Sequence, residues 1–193
     1  MAILLEKQDF SDIYDLLEAS FPHSEFRERE AQAALFDKAP YRVYGLREGE
    51  KLLALCALWE LPGWRYLEHL AVAPEARNGG LGGRFLDGLT ADRPCVLEVE
   101  LPETDLARRR IGFYQRNGAK EAGYDMTLFG VPYRVLYWAM GEVGPDEIAR
   151  QHAAVYQRRF ARPLYDKYIT IPWRPSDGMP DRVDWAGAEE GFE

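Results

Sequence analysis

The sequence predicts a mixed α/β (α+β) fold in which a central sheet is flanked by helices. Two observations carry this prediction. An apolar run over residues 66–73 leads through a glycine-rich stretch into a helix-like run over 84–89, and further strand-like and helix-like segments lie on both sides. A hydrophobic content of 47%, with 13% aromatic residues, is enough for a sizeable core in 193 residues.

The N-terminal segment predicts one strand and two helices. Residues 2–6 are the strand, and Asp9 is the expected N-cap of the first helix. A second helix is predicted from Ser24 to Lys38, before Pro40. The first helix has apolar residues at helical spacing, namely Phe10, Ile13, Tyr14 and Leu17.

The middle and C-terminal segments predict six more strands and three more helices. Gly118 is the expected C-terminal cap of the helix over 105–117. The extension after residue 141 begins with a helix over 145–160, and from Arg162 we expect an irregular tail, disordered past about Gly178. The strands cover residues 41–47, 51–61, 64–73, 94–101, 120–129 and 133–140, and the other helix covers residues 79–90.

The glycine-rich stretch Arg77–Gly83 predicts a binding site for a phosphate group. Backbone N–H groups at a helix N-terminus attract anions, and glycines let a phosphate approach the backbone closely. The stretch is not a P-loop, since no Lys-Ser or Lys-Thr pair follows a glycine. It is not the dinucleotide pattern either, since starting at Gly80 the third glycine would fall at Phe85.

The pattern Arg77-x-x-Gly80-x-Gly82 after an apolar strand resembles motif A of the GNAT N-acetyltransferase superfamily. The stretch Ile111–Ala119, with Phe113-Tyr114, is similar to the second motif of the superfamily, although Ala119 stands where a phenylalanine is usual. The resemblance covers roughly residues 64–125. It implies a seven-stranded mixed sheet splayed between strands 4 and 5, with about four flanking helices, a C-terminal helix and an irregular tail.

The resemblance also implies which residues bind acetyl-CoA. Backbone groups of the loop would hold the diphosphate, and the strand before it would offer backbone groups to the pantetheine amides. Tyr114 would lie near the sulfur and act as general acid, since a tyrosine is protonated at neutral pH. The expected acetyl-CoA-binding residues are Leu70, Ala71, Val72, Arg77, Asn78, Gly79, Gly80, Leu81, Gly82, Gly83 and Tyr114.

Three routes for deprotonating the acceptor amine stay open. Glu98 matches a catalytic glutamate of the bacterial ribosomal-protein alanine acetyltransferases, and Glu100 on the same strand face could raise the pKa of one of the two carboxyls. Glu68 is the second candidate, and water is the third. His69 is expected to be a packed core histidine, whereas His23 and His152 look isolated, and no spacing of cysteine and histidine resembles a metal site.

Charge and composition limit the class of partner. The net charge of −8 argues against a nucleic-acid binder and is compatible with a cationic amine substrate. No apolar run is long enough to span a membrane, and the N-terminus lacks a signal-peptide pattern, so we expect a cytoplasmic protein. We expect Cys56 and Cys95 to be free, buried thiols. One strand should lie between the two strands that carry them, which is too far for a disulfide.

The predicted domain organisation is an acetyltransferase domain over 1–141 and an extension over 142–193 that is not an independent domain. The extension could form a homodimer contact or cover the acceptor cleft. The leading hypothesis is direct transfer from acetyl-CoA to a primary amine, of a small molecule or a peptide N-terminus, without a metal. The alternative is a non-catalytic acyl-CoA-binding module with a regulatory or interaction role.

Overall fold

The structure, a computed structural model, describes residues 2–172. Those residues form two compact units, one built from residues 2–60 and 67–89 and the other from residues 61–66 and 90–172. Both cysteines are free and buried, as predicted. Within the described range, no helix combines the length and the apolar character that crossing a bilayer requires.

The first unit contains an antiparallel meander with helices at its ends. Strand β1 pairs with β2 and β2 pairs with β3, both antiparallel, and β4 is the next neighbour of β3. Helix α1 buries the apolar face that its spacing predicted, including Ile13 and Leu17. The elements are β1 (Ile3–Leu5), α1 (Phe10–Glu18), α2 (Arg29–Ala34), β2 (Tyr41–Glu48), β3 (Lys51–Leu61), β4 (Trp64–Val72) and α3 (Leu81–Thr90).

The predicted continuous helix from Ser24 to Lys38 is wrong. The chain forms a 3-10 turn at His23–Glu25, becomes extended at Phe26, and makes only the short helix α2 before a second 3-10 turn at Leu35–Asp37. The extended stretch is held by tertiary contacts. The Phe26 ring packs edge-on against Tyr14, whose hydroxyl donates to the carbonyl of Arg27.

The second unit contains strands in the order β5-β7-β6-β8. The first residues of β4 run parallel to β5, and the Arg65 N–H donates to the carbonyl of Pro94. The other pairs are antiparallel, so the predicted mixed sheet is confirmed. The elements are β5 (Cys95–Glu100), α4 (Asp105–Arg116), β6 (Lys120–Leu128), β7 (Val131–Trp138), α5 (Pro145–Gln157), α6 (Arg162–Tyr168) and β8 (Ile169–Thr170).

The irregular tail predicted from Arg162 is wrong up to residue 170, and the sheet has eight strands rather than seven. Pro163 lies in the first turn of α6, where a missing N–H costs nothing. Ile169 and Thr170 then pair with Leu128 and Thr127 of β6. The expected disorder past Gly178 lies outside the described residues.

Strand β6 carries a bulge opposite β7. Glu121 lies opposite Leu136 and Asp125 lies opposite Arg134, so residues 122–124 face a single residue of β7. Gly123 occupies the left-handed region at φ 83°, which glycine adopts readily. Because the bulge adds two residues, the alternation of side chains is kept, and the half-buried Tyr124 shares a face with the buried Ala122 and Met126.

Candidate active site

The glycine-rich stretch of the first unit forms an exposed turn between β4 and α3. Asn78 and Gly80 adopt positive φ angles of 66° and 70°, and α3 begins at Leu81. The Nε–H of Arg77 donates to the carbonyl of Val72 at 2.9 Å, which ties the turn to the end of the strand. Strand, turn and helix thus follow one another as the sequence predicted.

The turn has the features of an anion site. The first N–H groups of α3 have no partner within the helix, and the helix dipole places partial positive charge there. Two exposed arginines flank the turn: Arg77, and Arg84, which donates from Nη1 to the carbonyl of Gly79 at 3.2 Å. Gly82 and Gly83 are buried in the first helical turn. These residues fit the diphosphate of coenzyme A.

The strand residues expected to meet pantetheine lie at the end of β4. Ala71 is buried, whereas Leu70 and Val72 are half-buried. The Val72 carbonyl accepts from the Nε–H of Arg77, and the contact of this segment with pantetheine stays a prediction.

Glu98 of β5 lies at the centre of a buried hydrogen-bond cluster in the second unit. Its Oε1 accepts from the Nε2 of His152 at 2.6 Å and from the Tyr156 hydroxyl. Its Oε2 accepts from the Tyr66 hydroxyl at 3.0 Å. The Glu98 side chain is only 8% exposed and that of His152 is fully buried. We call Glu98, Tyr66, Tyr124, His152 and Tyr156 the Glu98 cluster.

The cluster suits an ionised carboxylate. A carboxylate only accepts hydrogen bonds, so the Nε2 of His152 carries the hydrogen in this contact. In the neutral imidazole, Nδ1 is then an acceptor, and the Tyr124 hydroxyl lies 3.0 Å from it. Within the described residues, Oε1 of Glu98 has two donors and Oε2 has one. Since each oxygen has two lone pairs, Oε2 keeps an acceptor position.

Tyr124 and Tyr156 of the Glu98 cluster stay protonated. Burial, followed by the charge of Glu98, raises the pKa of Tyr156 well above its ordinary value of 10. The same two causes raise the pKa of Tyr124. Both hydroxyls therefore keep their hydrogens across the pH range of an enzyme assay.

Glu100 does not share the environment of Glu98. Its carboxylate is 43% exposed and pairs with Arg110 at 3.0 Å. The two carboxylates thus have separate hydrogen-bond partners, and their coupling stays a prediction.

Glu68, the second candidate base, forms a buried ion pair in the first unit. Arg27 donates to both of its oxygens, at 2.9 Å and 3.3 Å, and the two side chains are 9% and 11% exposed. The neighbouring His69 is buried with its Nε2 2.9 Å from the carbonyl of Glu25, in agreement with a packed core histidine. Glu68 is thus engaged by a guanidinium at both oxygens.

Tyr114, the candidate acid, lies on α4 with a half-buried ring. The ring makes edge-on contacts with Phe113 and Trp138, at centroid distances of 5.3 Å and 5.9 Å. Its backbone carbonyl accepts from Asn117 and Ala119 in the turn that closes the helix, where Gly118 has φ 88° as expected of a C-terminal cap. Packing against Phe113 and Trp138 therefore fixes the ring, and a substitution by phenylalanine keeps these ring contacts.

Sequence reasoning missed the part that α5 plays. His152 was interpreted as isolated, and Tyr156 was not considered at all. The two residues are four apart on a helix and share a buried face with Ile148 and Ala149. That spacing was a usable signal that both side chains face the core, although their partner 54 and 58 residues away could not be identified from it.

No group of three or more potential metal ligands occurs within residues 2–172. The hydrogen-bond cluster around Glu98 can support proton transfer, and the glycine turn can support anion binding. Both belong to chemistry in which a phosphate-bearing donor reacts with a protic acceptor.

Comparison with known proteins identifies the family. The chain is 28% identical over 154 residues to YjbC of Bacillus subtilis, described as a candidate acetyltransferase, with 75% of this chain and 79% of that protein covered. A candidate GNAT acetyltransferase structure from Bacteroides thetaiotaomicron superposes with a TM-score of 0.68 at 27% identity, covering 79% of this chain and 94% of that one.

A more distant solved structure shares the fold. The ribosomal-protein-S18-alanine N-acetyltransferase of Escherichia coli gives a TM-score of 0.60 at 18% identity, with 75% and 96% of the two chains covered. The sequence profile of the acetyltransferase (GNAT) family matches residues 10–119. With a matching profile over more than half of its length, the chain belongs to the GNAT acetyltransferase family, whose activity is acyl transfer from acetyl-CoA.

Proposed function

We propose that this protein transfers the acetyl group of acetyl-CoA directly to a primary amine, with Glu98 as the general base. The observation that carries the proposal is the buried Glu98 carboxylate, which three donors hold in place and whose Oε2 keeps an acceptor position. A purely structural acid needs no such position.

The need for a base follows from the acceptor. An alkyl ammonium has a pKa of about 10.4, so deprotonation at pH 7 costs about 4–5 kcal/mol. In the proposed step one N–H proton moves to Oε2 of Glu98, directly or through a water, and the electron pair stays on nitrogen. The neutral nitrogen then attacks the thioester carbonyl, and the C–S bond breaks as the tetrahedral oxyanion collapses. The second N–H proton of the attacking nitrogen passes through water to the tyrosinate that Tyr114 becomes when it protonates the thiolate.

The glycine turn and Tyr114 would serve the donor. The N–H groups of Leu81, Gly82 and Gly83 would bind the diphosphate, with Arg77 nearby as a countercharge. The backbone of Leu70–Val72 would hold the pantetheine arm. The Tyr114 hydroxyl would give its proton to the departing thiolate, a transfer that suits a tyrosine protonated at neutral pH.

The experiment is release of free thiol from acetyl-CoA in the presence of a panel of amines that includes polyamines, amino acids and peptides with a free N-terminus. We expect acetyl transfer to at least one amine, and Glu98→Gln to lower kcat/KM by roughly 100-fold or more. Binding of acetyl-CoA without thiol release across the whole panel would contradict the proposal and favour a non-catalytic module.

A further inference from the structure

Helix α5 of the extension contributes to the environment of the proposed base. Of the three donors to Glu98, two come from this helix, His152 and Tyr156, and the third is Tyr66 of β4. Helix α5 is also held in the unit by buried apolar residues such as Ile148 and Val155, so the two donors are fixed by packing.

The position of the donors determines which oxygen is open. Both α5 donors occupy Oε1, so Oε1 has no lone pair left, whereas Oε2 accepts only from Tyr66. Rotation of the carboxylate would break two hydrogen bonds at once. The α5 donors thus orient Glu98 as well as stabilise its charge.

Tyr124 completes the arrangement from β6. Its hydroxyl lies 3.0 Å from Nδ1 of His152 and, as donor, leaves the imidazole hydrogen on Nε2, aimed at Glu98. The bulge at Gly123 places Tyr124 for this contact. The Tyr124 hydroxyl, the His152 imidazole and the Glu98 carboxylate thus form a chain of hydrogen bonds. Tyr124 sets the tautomer of His152, and His152 sets the orientation of Glu98.

We propose that His152 and Tyr156 are positioning residues for acyl transfer, which hold Glu98 oriented with Oε2 open, while Tyr124 fixes the tautomer of His152. This inference rests on the proposed function. It makes α5 a working part of the acetyltransferase site rather than an accessory after residue 141.

The prediction concerns the pH dependence of the reaction. The titratable and charged groups around the cluster are Tyr66, Tyr124, His152, Tyr156, Tyr165 and Arg159. Loss of a donor to a carboxylate disfavours the charged form, so the acidic limb of the kcat/KM profile should move to higher pH. We expect a shift of about one pH unit in His152→Phe and a smaller one in Tyr156→Phe.

Conservative variants and a control separate positioning from folding. His152→Gln can still donate one hydrogen bond to Glu98, so its acidic limb should lie between those of the wild type and His152→Phe. Tyr124→Phe should shift the limb in the same direction as His152→Phe, but less. Tyr168→Phe, a half-buried tyrosine of the same extension outside the Glu98 cluster, should keep the wild-type profile. Acetyl-CoA affinity and melting temperature are measured for every variant.

The outcomes distinguish the two proposals. A wild-type protein that transfers no acetyl group to any amine contradicts the proposed function itself. An active wild type in which folded His152→Phe and Tyr156→Phe keep the acidic limb unchanged overturns the inference alone. A limb that shifts in the α5 variants and is partly restored in His152→Gln supports both.

Discussion

At the scale of single residues, the chemistry of Glu98 is determined by donors from two elements, α5 and β4. Two of them sit on one oxygen and one on the other. Glu68 presents the opposite case, since one guanidinium engages both oxygens. The two strand glutamates thus differ in the charge of their partners, a guanidinium at Glu68 and a histidine with two tyrosines at Glu98.

Gly80 allows the diphosphate proposal to be tested with matched variants. Gly80 is exposed at φ 70°, and asparagine and aspartate both tolerate this region better than other side chains. They differ in charge, so Gly80→Asp should weaken acetyl-CoA binding at least tenfold relative to Gly80→Asn at low salt, measured by calorimetry.

The control for Gly80 places the same charge elsewhere on α3. Gly88 is exposed, and an added Cβ would meet nothing within 4 Å. Gly88→Asp should therefore bind acetyl-CoA like the wild type. Equal affinity of Gly80→Asp and Gly80→Asn would argue against a phosphate at the turn.

Tyr114 allows the proposed acid to be tested without loss of packing. Because its ring is held by Phe113 and Trp138, Tyr114→Phe removes only the hydroxyl. We expect kcat to fall roughly 10- to 100-fold while the acetyl-CoA dissociation constant changes less than twofold. An unchanged rate in single-turnover experiments, where chemistry is measured directly, would exclude Tyr114 from the mechanism.

At the scale of elements, the bulge in β6 links backbone geometry to the Glu98 cluster. Gly123 has φ 83°, which a β-branched residue adopts only with strain. Gly123→Val should therefore lower the free energy of unfolding by about 1–2 kcal/mol and move Tyr124, so the acidic limb should shift as well. Gly123→Asn should have a milder effect on both.

The matched control for Gly123 is Gly49, a glycine that also has a positive φ angle but does not adjoin the Glu98 cluster. Gly49, in the β2–β3 turn, has φ 59° and open space around it. Gly49→Val should cost similar stability in chemical denaturation while its pH profile stays at the wild-type position. If the acidic limb shifted equally in Gly123→Val and Gly49→Val, backbone strain and not the movement of Tyr124 would be the cause.

Elements with clear periodicity were predictable from the sequence, and elements held by tertiary contacts were not. Helix α1 and strand β3 follow their apolar patterns. The segment between Ser24 and Lys38 has good local helix formers. Its helix is interrupted where Arg27 pairs with Glu68 and Phe26 packs against Tyr14. An irregular tail is predicted from Arg162, whereas Pro163 lies in the first turn of α6.

At the scale of the whole molecule, buried tyrosines predict loss of stability at alkaline pH. Burial is the first cause that raises the pKa of Tyr41, Tyr124 and Tyr156, and it raises the pKa of Tyr165 to about 12. The unfolded chain releases these protons near pH 10 while the folded protein keeps them. Stability is therefore complete below pH 10 and falls as pH rises toward 12.

Urea denaturation at pH 8, 9, 10 and 11 measures this effect. Each such tyrosine should contribute a slope of up to about 1.4 kcal/mol per pH unit above pH 10. Tyr165→Phe removes one of these groups and should make the slope shallower. A free energy of unfolding that stays constant to pH 11 would be inconsistent with protonated, buried tyrosines.

The glycine turn and Glu98 were accessible from the sequence because their signals are local. The turn has fixed spacing between a strand and a helix, and Glu98 lies in a short strand motif that resembles a known family. The contacts of His152 and Tyr156 with Glu98 join residues more than 50 apart, and no local pattern specifies which buried residue a helix face will meet. The sequence therefore identified the candidate groups, but not the residues that hold the Glu98 carboxylate in place.

The most direct test of the account is the pH dependence of acetyl transfer to an identified amine in Glu98→Gln and Glu68→Gln. Because Glu98 is proposed to take the proton, its acidic limb in kcat/KM should disappear in Glu98→Gln and persist in Glu68→Gln. A limb that survives in folded Glu98→Gln and is lost in Glu68→Gln would contradict the assignment of Glu98 as the base.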